Sequence, residues 1–134
     1  MVKMKKHEII QKLQTLGFPP AEYWVVTGSA MVLYGIKEET HDIDLGCSKK
    51  LADRLETDGY LSARMTDGRR KFVIDGDVEI FEGWLFDRVV TAAGFPVISL
   101  QGLLLMKEAL GREKDRDDIR AIKAFLQASY YSPL

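Results

Sequence analysis

The chain has 134 residues, with 19 basic and 20 acidic side chains and a formal net charge of −1. That length suits one domain with a two- or three-layer core, and the near balance of charge creates no broad field for nucleic acid or an anionic membrane surface. A single cysteine, Cys47, excludes an internal disulfide framework, no apolar run approaches the roughly 20 residues that span a bilayer, and no long apolar run follows the N-terminal lysines, so the chain reads as cytoplasmic.

From the N-terminus, Ile9, Ile10, Leu13 and Leu16 recur at helical spacing among lysines and glutamines, which predicts an amphipathic helix. Gly17 suits its C-terminal end, and Pro19-Pro20 stops it, because proline lacks the N–H donor and restricts the residue before it. Tyr23 to Val26 is a short β-prone run that meets a tight turn at Gly28-Ser29. Ala30, Met31, Leu33 and Tyr34 favour a brief second helix ended by Gly35, and Lys37 to Thr40 reads as a polar loop. A second strand runs from Asp42 to Cys47.

Ser48 can cap a third helix that buries Leu51, Ala52 and Leu55 and closes at Gly59. Tyr60 to Met65 and Arg69 to Ile74 flank Asp67-Gly68, a dipeptide that tolerates the positive φ of a hairpin turn, and Asp75-Gly76 repeats that chemistry. Asp77 to Phe81 then alternates, with Asp77 and Glu79 on one face and Val78 and Ile80 on the other. After a mixed segment from Trp84 to Thr91, Phe95 to Ile98 leads into Ser99, which can cap a helix carrying Leu103, Leu104, Met106 and Leu110. A last helix follows Gly111 with Ile119, Ile122, Phe125 and Leu126. No repeat or linker divides the chain, so residues 1–134 are expected to form one domain.

The chemistry concentrates between Thr27 and Leu45. Gly28 lets backbone approach an anion, and Ser29 offers a hydroxyl and an N–H at the start of a helix whose positive end favours phosphate. If Asp42-Ile43-Asp44-Leu45 is extended, both aspartates share a face with Cα atoms roughly 6.5 to 7 Å apart, suited to a pair of divalent ions. Asp42 and Asp44 are the candidate Mg²⁺ ligands, hard oxygen donors beside a triphosphate. A third carboxylate on a neighbouring strand could serve as ligand or base, with Glu79 the first choice and Asp77 the second.

These residues resemble the nucleotidyltransferase superfamily related to DNA polymerase β, particularly small bacterial members and the lincosamide-type antibiotic transferases. The similarity comprises the apolar strand before Gly28-Ser29, the twelve residues from Ala30 through His41, Asp42-Ile43-Asp44-Leu45, and the later Val78-Glu79-Ile80. Leu105-Met106-Lys107 and the stretch from Gly111 to Ile119 look like the C-terminal helical segment of uncharacterised members. The resemblance implies an α+β fold, a mixed sheet packed with helices in one nucleotidyltransferase-like domain. It also implies Mg²⁺-dependent transfer of a nucleoside monophosphate from a nucleoside triphosphate to a hydroxyl of a small molecule, nucleic acid or protein, with release of pyrophosphate.

By position, Gly28 and Ser29 inherit the nucleotide-binding role and Asp42 and Asp44 the metal-binding one. Relatives often carry an arginine two residues before the position of Thr40, whereas this chain has Glu38, and Glu79 stands where aspartate is more usual. Lys37, Lys107 or Arg112 could supply the missing charge, and Lys107 is the candidate added to the nucleotide-binding set. The plainer reading of Lys107, Arg112, Lys114 and Arg116 is a solvated or ion-paired helical face. His41 and Cys47 have no nearby His or Cys for zinc, and Trp24, Trp84 and the phenylalanines read as core. The competing expectation, motivated by Glu38 and the small size, is a catalytically inactive binding or regulatory module, for example part of a toxin-antitoxin or defence system. A homo-oligomer or partner protein could then complete the site.

Overall fold

A computed structural model describes residues 3–130, with the side chains of 129 and 130 left aside. The chain opens with β1 (Met4–Lys5) and α1 (Lys6–Leu16), and α1 ends at Gly17 in the left-handed conformation. The apolar run becomes β2 (Tyr23–Val26), which passes directly into α2 (Thr27–Tyr34). Gly35, at φ 83°, ends α2 and donates its N–H back to the helix, as a C-terminal glycine is suited to do. The expected polar loop contains a two-residue strand, β3 (Glu39–Thr40), antiparallel to β1, a long-range pairing that no local pattern signals.

Next come β4 (Ile43–Cys47) and α3 (Lys49–Thr57), where the Ser48 hydroxyl accepts from the Leu51 N–H as a helix cap. A meander follows: β5 (Ser62–Arg64), β6 (Arg70–Ile74) and β7 (Val78–Glu82). Asp75 and Gly76 both take positive φ in the three-residue turn from β6 to β7, as a tight hairpin turn requires. The mixed segment hides a second hairpin, β8 (Val89–Ala92) and β9 (Phe95–Ile98), turned by Ala93-Gly94, also both at positive φ. Alanine at such a position is uncommon and gave no turn signal. Then α4 (Leu100–Leu110) starts at Ser99, whose hydroxyl accepts from the Gly102 N–H, and a short 3-10 turn (Glu113–Asp115) leads into α5 (Arg116–Tyr130).

Seven strands form one mixed sheet in the order β5-β6-β7-β4-β2-β9-β8. The centre matters most: β4 is antiparallel to β2 and parallel to β7, and β2 is parallel to β9. Helix α2 packs on β2 and β4 and meets α1 and α4, and α5 packs on α4. Alternation divides the central strands sharply. Val25, Ile43, Leu45, Val78 and Ile80 are fully buried, and Ile9, Met31, Leu51, Leu55 and Ile122 join the same core. The other face carries Asp44, Gly46, Glu79 and Phe81. The result is an α+β fold whose apolar face anchors the strands and leaves their polar face to build a site.

Gly46 shows how tightly that second face is set. A Cβ there would stand 2.0 Å from Nε1 of Trp24, which donates its indole N–H to the Trp84 carbonyl at 2.8 Å. No larger residue fits without breaking this cross-sheet hydrogen bond. Among the described residues no helix is long and apolar enough to cross a membrane.

Candidate active site

The polar face opens into a cavity of about 650 Å³ whose lining includes Thr27, Gly28, Asp42, Asp44, Glu79 and Lys107. Three sequence-predicted carboxylates therefore face one space. Asp44 and Glu79 are direct register partners on the parallel strands β4 and β7, while Asp42 sits one residue before β4 begins. The alternation that buries Ile43 and Leu45 is what turns the acids outward. Asp77, the second choice for third carboxylate, goes elsewhere: it borders a separate hollow beside α1, 3.5 Å from Lys12 Nζ. Asp77 precedes β7 and Glu79 lies within it, so only Glu79 is carried into register with Asp44.

The Asp44 carboxyl is perturbed by its surroundings. Burial pushes its carboxyl above the usual range; the Thr27 hydroxyl bond opposes this, and nearby Glu79 and Asp42 add to the rise. Thr27 Oγ1 donates to Asp44 Oδ2 at 2.5 Å. Thr27 also holds φ at 53°, a left-handed backbone that is rare for a β-branched residue and costs about 1–3 kcal/mol. The strain sits on the residue that grips the buried carboxylate.

The glycine-serine pair is built differently from a flexible turn. Both residues lie in the first turn of α2, and Gly28 is needed for space: a Cβ there would meet Thr40 Oγ1 at 2.7 Å. The positive φ falls on Thr27 instead. Ser29 is fully buried; its hydroxyl donates to the Val26 carbonyl at 2.9 Å and accepts from the Asp44 N–H at 3.2 Å. Ser29 thus braces α2 against β4 from behind, and the surface offered to an anion is Thr27 and Gly28 at the positive end of α2.

Across the cavity stands a charged wall from α4, the 3-10 turn and α5. Lys107 is buried at 4 % exposure, with Nζ 3.1 Å from Asp115 Oδ1 and 3.0 Å from Asp118 Oδ2. Arg112 Nε donates to Asp115 at 2.6 Å, and Lys37 reaches Asp118 at 3.1 Å. Ion pairing matches the sequence expectation for Lys107 and Arg112, and solvation does not hold for Lys107. Asp115, also buried, is held below the usual carboxylate range by Arg112 and Lys107 against the pull of burial. Lys107 in turn lowers the Asp44 pKa, and Asp44 raises that of Arg112, so the walls sense each other across the gap.

Several lining residues escaped the sequence reading. Phe81 and Trp84 meet edge to face with centroids 4.7 Å apart, and both line the cavity with Met65 and Arg69. Phe81 carried a legible signal, since it lies two residues beyond Glu79 on a strand. Arg69 is aimed by hydrogen bonds to Asp67 at 2.7 Å and to the Gly83 carbonyl at 2.8 Å, which only the folded hairpin defines.

The donors fit a magnesium ion in type: hard carboxylate oxygens lining a common cavity, one of them raised by burial and by its acidic neighbours. Among the described residues no three acidic, His or Cys groups stand gathered as a ready metal cluster. Glu79 is 3.5 Å from Lys71 Nζ, which sits 5.3 Å from the Phe81 ring centroid.

No family model and no curated protein sequence matches the chain. Solved structures do. The candidate nucleotidyltransferase TM1012 from Thermotoga maritima aligns over 87% of this chain and 93% of its own, with 20% identity and a TM-score of 0.60. The lincosamide antibiotic adenylyltransferase LnuA, bound to lincomycin, covers 86% and 92% at 16% identity and a TM-score of 0.52. ANT(2")-Ia, in complex with adenylyl-2"-tobramycin, covers 92% and 88% at 17% identity and a TM-score of 0.55. The seven-stranded mixed sheet, its helices and these alignments together establish that the chain has the nucleotidyltransferase-like fold.

Proposed function

We propose that this protein is a Mg²⁺-dependent nucleotidyltransferase, moving a nucleoside monophosphate from a nucleoside triphosphate to a hydroxyl acceptor and releasing pyrophosphate. The observation that carries the reading is the register match of Asp44 with Glu79, beside Asp42, on one cavity of a nucleotidyltransferase-like fold. In this reading residues 1–134 form one such domain in the reducing cytoplasm. The lone Cys47 is consistent with that compartment: it is buried, and its thiol is pushed up to about 12 by burial and Glu82.

Magnesium held by Asp42 and Asp44, with Glu79 as a further ligand or as the base, would neutralise phosphate charge and align the triphosphate. The protein's own groups account for the remainder. Thr27 holds one Asp44 oxygen, and Ser29 fixes the Asp44 backbone, so the carboxylate cannot swing away. The Gly28 backbone at the start of α2 receives phosphate, with Lys107 facing it across the cavity. Glu79 takes the proton of the acceptor hydroxyl as that oxygen bonds to the α-phosphorus; the bond from the α-phosphorus to its bridging oxygen breaks, and pyrophosphate leaves with that electron pair. LnuA and ANT(2")-Ia bear the names of antibiotic-modifying enzymes, which makes a small hydroxylated molecule the first acceptor class to try.

Incubation with α-labelled nucleoside triphosphates, Mg²⁺ and candidate acceptors tests the reading. Wild type transfers label and Asp42→Ala/Asp44→Ala does not; equal labelling by the two proteins sinks it. Glu38 and the ungathered acids favour a second reading, a module that keeps the fold without transfer. Calorimetry separates the two: metal-dependent triphosphate binding lost in the double variant supports the enzyme, and tight binding of a partner protein without nucleotide binding supports the module.

A further inference from the structure

The charged wall opposite the carboxylates contains more positive charge than its own acids cancel. Lys37, Lys107, Arg112 and Lys114 all line the cavity, with Asp115 and Asp118 among them. The two aspartates are not equivalent. Asp115 is 2 % exposed and is bonded by Lys107 and by two nitrogens of Arg112, which leaves it little further bonding capacity. Asp118 is more accessible and bridges two cations. Lys37 Nζ lies 3.1 Å from Asp118, and Lys107 Nζ lies 3.0 Å from its Oδ2.

A carboxylate that presents oxygens to two ammonium groups occupies the position an anionic phosphate oxygen would take between the same groups. We propose that Asp118 is an internal counter-anion for the phosphate-binding part of this site: it holds Lys37 and Lys107 aimed into the cavity, and a bound triphosphate displaces it. Asp115 keeps Lys107 in place during that exchange through bonds that do not involve Asp118. Lys114 lines the same cavity and makes no ion pair among the described residues, so its charge needs no release. The wall also supplies positive charge that Glu38 does not. This inference rests on the nucleotide-site reading and adds to it a competitor built into the chain.

Removing the competitor should strengthen binding, the opposite of what loss of a merely structural ion pair does. Inorganic triphosphate titrated with Mg²⁺ by calorimetry at fixed salt provides the measurement, and it is independent of nucleobase and acceptor. Asp118→Asn is expected to bind about fivefold tighter than wild type, and Asp118→Glu to bind like wild type. Lys37→Ala and Lys114→Ala, both at partly or fully exposed positions, are each expected to bind about threefold weaker. Unchanged or weaker binding by folded Asp118→Asn overturns the proposal. If that variant does not fold, Lys37→Ala decides: weaker binding supports the proposal and unchanged binding overturns it. When wild type binds and Asp42→Ala/Asp44→Ala does not, a failed Asp118 prediction leaves the transferase reading standing. When neither wild type nor Asp118→Asn binds triphosphate, both fall.

Discussion

Strand β7 carries two acids three residues apart, and the molecule treats them in opposite ways. Glu82 is clasped by Arg70, which is buried and also reaches Asp53 at 2.9 Å and Glu56. Hydrogen bonds from Arg70 hold the Glu82 carboxyl below its usual range, and Arg70 itself is raised. At Glu79 the neighbouring strand supplies another acid, Asp44, whose carboxyl burial pushes up and which forms no ion pair among the described residues. One end of the strand is closed by a buried arginine; at the other, Glu79 meets only the partly exposed Lys71 at 3.5 Å, and Asp44 beside it has no cation partner among the described residues. In the proposed function, that contrast separates charge that holds the fold together from charge kept for a ligand.

The largest effect is expected at the open end. Glu79→Gln should lower transfer by about 10²- to 10³-fold in the label assay, with Asp77→Asn within about twofold of wild type, because only Glu79 faces the cavity. Comparable losses in both would erase the distinction between the two acids. At the closed end, Arg70→Met leaves Glu82 without its partner and should cost about 3 kcal/mol in urea unfolding, with triphosphate binding by the folded protein preserved. A cost near zero would show that the clasp is not structural.

Thr27 lies between these extremes. Thr27→Val removes the bond to Asp44 and should reduce transfer about tenfold, whereas Thr27→Ser, which keeps the hydroxyl, should stay within about threefold. Equal losses in the two variants would assign the effect to packing.

The smallest effect is on stability without divalent cation, where the two ends carry opposite signs. Asp44 has a raised carboxyl, so its contribution is present below the unfolded value of 3.8 and is lost as pH rises through the folded value. Asp44→Asn should therefore melt higher than wild type at pH 7, and the gap should close toward acid pH. Glu82 is lowered, so its contribution is present above the unfolded value of 4.5 and is lost as pH falls through the folded value. Melting curves of Asp44→Asn and Glu82→Gln against pH that move in the same direction would contradict the comparison.

Much of the fold was legible where the signal is local. The serine caps at Ser48 and Ser99, the glycine ends at Gly17 and Gly35, and the Asp75-Gly76 hairpin all express chemistry within a few residues. The β8–β9 hairpin did not, because its turn uses Ala93 at a φ that alanine seldom adopts. The β1–β3 pairing was also hidden, since it joins Met4 to Thr40 and Lys5 to Glu39, residues 36 and 34 positions apart. Within the site, the spacing of Asp42, Asp44 and Glu79 was readable from alternation. The displacement of Asp77 was not, because strand register is a property of β4 and β7 together.

By itself the sequence determined a succession of helices and strands with a Gly28-Ser29 start to α2 and outward acids at 42, 44 and 79, since periodicity and turn chemistry are encoded residue by residue, and the α+β class followed from the family resemblance. Tertiary structure decided what each group became. It buried the Ser29 hydroxyl as a brace, gave Gly28 its role through the approach of Thr40, and put the left-handed strain on Thr27. It also gathered Lys37, Lys107, Arg112 and Asp118 from distant segments into a wall facing the acids. Coulomb interaction depends on distance in space, and only the packed chain sets those distances.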